Sequence, residues 1–219
     1  MRSEGILQPK LFELLFSRYL HRTALKLWSE KQTVPALDSK NIHTILESTW
    51  SIYHSQARQM PKQANLGNWL VMQFAFLTLS AYQAMRDFGL TEETAIGLIQ
   101  DLTWQITSTW TRRAKRVSTP LFRSQQRQLK FFVEMIMKTL FSAPAYRFKM
   151  GDLENGFYLD VLQCPVAELM KSKGVPDLCI KSWCGVDFGL VDILGGELVR
   201  SGTIAMGKGK CDFRFFPVQ

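Results

Sequence analysis

Gly156-Phe157-Tyr158-Leu159-Asp160-Val161-Leu162 decides the fold class. Aromatic and branched residues crowd this segment, the composition of a short strand that runs on to Gln163. Residues 145–149 read as a second strand. Pro165 suits the first turn of a short helix over 165–173, ended by Gly174. Residues 178–183 fit strand or helix, and 185–193 a helical turn closed by Gly195-Gly196. Residues 197–206 and 211–216 read as two strands joined by the glycine-rich Gly207-Lys208-Gly209-Lys210. Everything before Pro144 has another period. Residues 8–29 carry Leu11, Leu14, Leu15, Tyr19, Leu20 and Leu27 at helical spacing, and Pro35 stops that run. Asp38 caps a helix over 39–58 with Ile42, Ile45, Leu46, Trp50 and Tyr53 on one face. A more apolar helix spans 67–87 and ends at Phe88-Gly89. Thr91-Glu92-Glu93-Thr94 starts another that runs to about Lys115. A fifth covers 122–142, closed by Ala143-Pro144. The expected class is α+β: a helical region over 1–143, then a small antiparallel unit over 144–219, packed as one compact domain.

The 219 residues are 46% apolar, 12% aromatic and 21% charged, which excludes disordered and collagenous classes. Net charge is +8. Residues 110–150 hold ten of the basic groups against one acid: Arg112, Arg113, Lys115, Arg116, Arg123, Arg127, Lys130, Lys138, Arg147 and Lys149. With Trp104, Trp110 and Phe122 nearby they could meet phosphates, yet no nucleic-acid motif accompanies them. A solvated face, or attraction for an anionic ligand or an acidic protein, is the preferred reading. No targeting signal precedes the first helix, and the apolar stretch Trp69–Tyr82 is too short and too interrupted to span a membrane. The expected setting is the cytoplasm.

The four cysteines, Cys164, Cys179, Cys184 and Cys211, all lie in the last 56 residues. Cytoplasmic disulfides are rare, which leaves chemistry, metal binding or burial. Cys164 falls at a strand end, Cys184 in a loop and Cys211 at a strand start, places from which a rigid sheet can converge side chains. A thiolate is a strong nucleophile where a cation or a helix N-terminus lowers its pKa. Asp187 or Asp212 could act as general base or orient a water. Cys164, Cys184 and Cys211 with an aspartate could instead bind Zn²⁺. The plain alternative is that free cysteines pack in the core, and Cys179, inside the apolar Val175–Ile180, fits that best. The histidines, His21, His43 and His54, all sit in the first two helices.

Cys184-Gly185-Val186-Asp187, then Arg200-Ser201-Gly202-Thr203-Ile204-Ala205-Met206-Gly207, then Cys211-Asp212-Phe213-Arg214, resembles the C-terminal signature of the L-2-amino-thiazoline-4-carboxylic acid hydrolase family. The aromatic strand ending at Cys164 fits as well, and residues 70–99 match more loosely. The first 60 residues and the basic stretch do not. The resemblance implies a hydrolase that opens a cyclic amidine ring at a C–N bond, giving a carbamoyl-cysteine from the namesake compound. It implies Cys164, Cys184 and Cys211 as nucleophile or metal-ligand candidates, with Asp187 and Asp212 for acid–base work. Arg200, Thr203 and Arg214 become substrate-binding candidates, since a planar guanidinium pairs with a carboxylate. The implied partner is a small, anionic molecule. The alternative function is a metal- or ligand-binding module, with zinc or a flat tetrapyrrole as ligand and no hydrolysis. Self-assembly stays open.

Overall fold

The computed structural model describes residues 4–31, 37–122 and 124–218. Pro35, expected to stop the first helix, and Arg123 of the basic stretch lie outside them, as do Met1, Arg2 and Ser3. The fold is α+β, with helices first and a four-stranded antiparallel sheet after them. Two compact units are present: Met1–Lys62 with Met72–Leu102, and Gln63–Val71 with Thr103–Gln219.

The first unit contains α1 (Glu4–Trp28), α2 (Ser39–Ala57), most of α3 (Leu66–Asp87) and the start of α4 (Glu92–Ser118). The caps fall where short polar side chains precede each helix. Asp38 Oδ1 accepts from Asn41 N at 2.7 Å, and Thr91 Oγ1 accepts from Thr94 N at 3.2 Å. Gly89 takes φ +100° after α3, a conformation that costs a residue with a Cβ. The buried stripe of α1 differs from the leucine stripe of the sequence. Phe12, Leu20, Ala24 and Trp28 are buried, whereas Leu11, Leu14 and Leu15 are exposed. The aromatic residues decide this. Phe12 packs against Tyr53 and Phe74, and Trp28 Nε1 donates to Leu98 O at 3.1 Å. Large rings bury more surface than the leucines one position away.

In the second unit, a 3-10 turn (Thr119–Leu121) precedes α5 (Gln125–Thr139), so the fifth helix is shorter than its apolar pattern. Ser124 caps it, its hydroxyl accepting from Arg127 N. After a cis Ala143–Pro144 bond come β1 (Arg147–Leu153) and β2 (Gly156–Gln163), joined through Glu154-Asn155. Then follow α6 (Pro165–Ser172), α7 (Pro176–Cys179), a π-helical turn over Ile180–Cys184 and α8 (Val186–Ile193), so the ambiguous 178–183 segment is helical. The chain ends in β3 (Gly196–Val199) and β4 (Cys211–Pro217). The sheet order is β1-β2-β4-β3. The strand expected over 197–206 stops at Val199, because side chains hold the next residues as a loop: the Asp212 carboxylate accepts from Ser201 N and Gly202 N. Asn68 fixes the exit from α5 by donating to Ser142 O at 3.0 Å and accepting from Ser142 N at 3.3 Å.

Strand alternation sorts the sheet into two faces. Phe157, Leu159 and Val161 of β2 stand opposite Phe215, Phe213 and Cys211 of β4. This face packs on Leu129, Phe132 and Met137 of α5 and on Val191 and Leu194. The other face carries Tyr158 and Asp160 opposite Arg214 and Asp212. The helix-to-sheet transition therefore lies inside one core shared by α5 and the strands. The basic residues do not form one helical surface: they divide among α4, α5 and β1. Lys115 Nζ donates to Ile193 O, Lys130 pairs with Asp152, and Lys138 pairs with Glu134. Among the described residues no helix is long and apolar enough to cross a membrane.

Candidate active site

The inner sheet face, α5 and the Ile180–Ile193 segment enclose a cavity of about 200 Å³. All four cysteines line it. Cys164 directly follows β2, Cys211 starts β4, Cys179 is the last residue of α7 and Cys184 the last residue of the π turn. A π turn stacks residues five apart, which α geometry does not, and such turns occur often at functional sites. Here it sets the Cys179 thiol to donate to the Cys184 sulfur. Built at Gly185, a Cβ would lie 2.5 Å from Lys181 O, so only glycine lets the chain turn this tightly into α8.

The four thiols differ electrostatically. Cys184 is held below the ordinary thiol value, first by the hydrogen bond from Cys179 and then by Arg200 and the Thr203 hydroxyl, against the opposition of burial and Asp187. Cys179, the donor in that pair and itself buried, is raised. Burial pushes Cys164 up to about 12, although the Val166 and Ala167 amides at the start of α6 point at its sulfur. Burial likewise pushes Cys211 up to about 11, against the Ile204 amide 3.3 Å from its Sγ. Cys184 is thus the one thiol of the four that its surroundings hold below the ordinary value.

Asp187 stands three residues after Cys184 on the first turn of α8 and lines the cavity. Burial raises its carboxyl to about 6, although Arg200 opposes this. Arg200 Nη1 donates to Asp187 Oδ2 at 2.9 Å, and Nη2 donates to Cys184 O at 3.1 Å. The guanidinium lies between the Phe188 and Phe213 rings, 4.8 and 5.2 Å from their centroids, and its side chain is only 7% exposed. Thr203, fully buried, also accepts from Met206 N and shapes the 200–210 loop.

The sequence singled out Cys164, Cys184, Asp187, Cys211, Arg200 and Thr203, and the fold gathers them at or beside one cavity. Asp212 and Arg214 go elsewhere. They alternate with Cys211 and Phe213 along β4 and therefore face the other side of the sheet. Arg214 donates to Asp160 at 2.8 Å and lies over the Tyr158 ring. Asp212 accepts from Ser201 Oγ at 2.6 Å and from Gly202 N at 3.0 Å. Burial opposes its ionisation, but these hydrogen bonds outweigh burial and hold the carboxyl below its usual value. Asp212→Ala is expected to loosen the 200–210 loop and lower stability by about 1–3 kcal/mol, three loop donors losing a charged acceptor. Urea unfolding measures this, and a change below a few tenths of a kcal/mol would refute it.

Two cavity residues escaped the sequence. Tyr146 is 2% exposed, and burial, with Cys164 and Cys179 beside it, raises its hydroxyl. Its Oη and the Trp183 Nε1 are both buried with no hydrogen-bond partner among the described residues. No motif marks either one; only the cavity does. The predicted core residue Cys179 is buried but also touches the most acidic thiol. The histidines lie in the first unit, where His54 meets Glu13 and His43 meets Glu47. Among the described residues, no group of three His, Cys, Asp or Glu side chains is arranged to hold a metal ion.

The model of the L-2-amino-thiazoline-4-carboxylic acid hydrolase family matches residues 71–215, a span that includes every residue of this cavity. No curated protein and no solved structure matches the chain. With two thirds of its length under that family's pattern, the chain belongs to the L-2-amino-thiazoline-4-carboxylic acid hydrolase family.

Proposed function

We propose that the cavity hydrolyses a cyclic amidine of the 2-aminothiazoline type, with Cys184 as nucleophile and Asp187 as general base and acid. The observation that carries this reading is Cys184 and Asp187 lining one cavity, with Arg200 joining the Asp187 carboxylate to the Cys184 carbonyl; the thiol is held below its ordinary value and the carboxyl is raised to about 6. Asp187 takes the Cys184 proton as Sγ attacks C2. The C2–N3 bond then breaks, N3 receiving that proton, and the opened substrate stays on sulfur. A water, deprotonated by Asp187, attacks C2; the C2–Sγ bond breaks and releases a carbamoyl product, and the proton on Asp187 returns to Cys184. One water is consumed and no other reactant is needed. Arg200 is the positioning residue: it orients Asp187 through Oδ2 and anchors the Cys184 carbonyl.

The test is incubation with 2-aminothiazoline and with its 4-carboxylate, followed by mass spectrometry for a product heavier by one water. No such product from either compound overturns the reading. The pH dependence adds a second constraint. Asp187 must begin ionised, and its pKa is raised, so kcat/KM is expected to rise as pH passes about 6 and not near 4. In Asp187→Asn that limb disappears, and the residual rate is lower by about 10²–10⁴-fold. An unchanged limb in the variant removes Asp187 from the mechanism.

A further inference from the structure

We infer that the outer face of α1 is a docking surface for an anionic lipid bilayer. The family's pattern begins at residue 71, so nothing in it accounts for α1. The inference stands apart from the hydrolytic reading and uses none of its residues.

α1 is apolar on two sides. Phe12, Leu20, Ala24 and Trp28 are buried in the first unit. Leu11, Leu14 and Leu15 are instead 51%, 75% and 61% exposed, and Tyr19 is exposed beside them. A surface helix ordinarily turns polar residues outward, so a leucine cluster there marks a contact surface. Helical steps of three, four and seven residues continue this stripe from the leucines to Arg18 and Arg22. Lys10, Arg18, Arg22 and Lys26 are all exposed. The one acid between Lys10 and Lys26 is Glu13, which pairs with His54 of α2 at 2.7 Å. Arg18 and Arg22 enter no ion pair among the described residues.

The same two arginines line an open pocket of about 320 Å³ between α1 and α2, together with Ser17, His21 and Trp50. The acid of that lining, Glu47, is taken up by His43 at 3.0 Å. Guanidinium, imidazole and hydroxyl groups around an open space suit a phosphate. Hydrocarbon for acyl chains thus adjoins donors for headgroup phosphates on one helix. A bilayer interface offers those two chemistries side by side: a helix lying in it sinks its apolar residues about 5–10 Å, while Lys and Arg reach the phosphates. The net charge of +8 adds attraction toward any anionic surface. A second copy of this chain fits worse, because a stripe whose charges are all positive would set cations against cations.

The experiment sediments the full chain with phosphatidylcholine vesicles, plain or carrying about 30% phosphatidylserine, a charge density at which surface cations bind. The anionic vesicles are expected to bind it roughly 10-fold tighter or more. Leu14→Gln with Leu15→Gln, and separately Arg18→Gln with Arg22→Gln, are each expected to weaken that binding about 10-fold. All four side chains are exposed, so the fold is expected to be retained by circular dichroism. Arg112→Gln with Arg113→Gln, on the basic part of α4, is the control and is expected to weaken binding by about 3-fold at most. No binding, equal binding to both vesicles, or a loss in the α4 variant with the α1 variants unchanged overturns the inference. A dimer that Leu14→Gln with Leu15→Gln dissociates, in the absence of vesicle binding, gives the face to a second copy and overturns it as well.

Discussion

Cys184→Ala is expected to abolish ring opening, with kcat down by about 10³-fold or more and the fold retained by circular dichroism. The size of the effect follows from the nucleophile's place in the scheme. Both bond changes at C2 pass through its sulfur, and no other thiol in the cavity can stand in. Burial leaves Cys164 at about 12 and Cys211 at about 11, so at neutral pH almost none of either is thiolate. Cys179 is raised further and spends its proton on Cys184. The same difference is readable without substrate. Brief alkylation by iodoacetamide at neutral pH is expected to modify Cys184 ahead of the other three, as mapped by peptide mass spectrometry. Cys179→Ala removes the supporting hydrogen bond, so it is expected to slow that alkylation while leaving Cys184 the first to react. Turnover retained in Cys184→Ala would falsify the nucleophile assignment.

Arg200→Ala is expected to cost roughly 3 kcal/mol of stability, read from urea unfolding, as well as activity. The side chain is 7% exposed and holds three things at once: Asp187, the Cys184 carbonyl and the Phe188–Phe213 stack. Removing it leaves a carboxylate in a low-dielectric site and an opened gap between two rings. Asp187 retains 34% side-chain exposure, which places the cost at the low end for a broken buried pair. Arg200→Lys is expected to recover little. An ammonium can meet Asp187, but it cannot also reach the carbonyl in a planar fork or stack between rings. The positioning role separates from a structural one in the pH profile: losing the opposing guanidinium should move the Asp187 limb upward from about 6 in any Arg200 variant that still folds. Recovery of both stability and the wild-type limb by lysine would contradict this account.

Much of the candidate site was legible because its residues fall at spacings that secondary structure converts to geometry. Cys184 and Asp187 are three apart on a helical stretch, so they share a face. Arg200, Thr203 and Cys211 follow in the family's order. Asp212 and Arg214 show the limit. Each adjoins a cavity residue in sequence, and in an extended chain adjacency means opposite faces. Residues 211–214 were already read as strand, but which pair of faces turned inward depended on Phe213 and Phe215 meeting Leu159 and Phe157. The leucine stripe of α1 misled for a related reason: two apolar stripes competed, and partners distant in sequence, Tyr53 and Phe74, chose the aromatic one.

The sequence alone was enough to establish the α+β class, the helix caps at Asp38 and Thr91, and the family. These depend on local periodicity, short-range hydrogen bonding and the spacing of a few residue types, all properties of neighbouring positions along the chain. The tertiary structure decided which thiol is held below its ordinary value, which carboxyl is raised to about 6, and that among the described residues no Lys or Arg lines the cavity. Those depend on desolvation and on charges brought together from β2, α8, β4 and the 200–210 loop. Electrostatic energy in a dry interior varies with distance in space, and folding sets that distance between residues far apart in sequence.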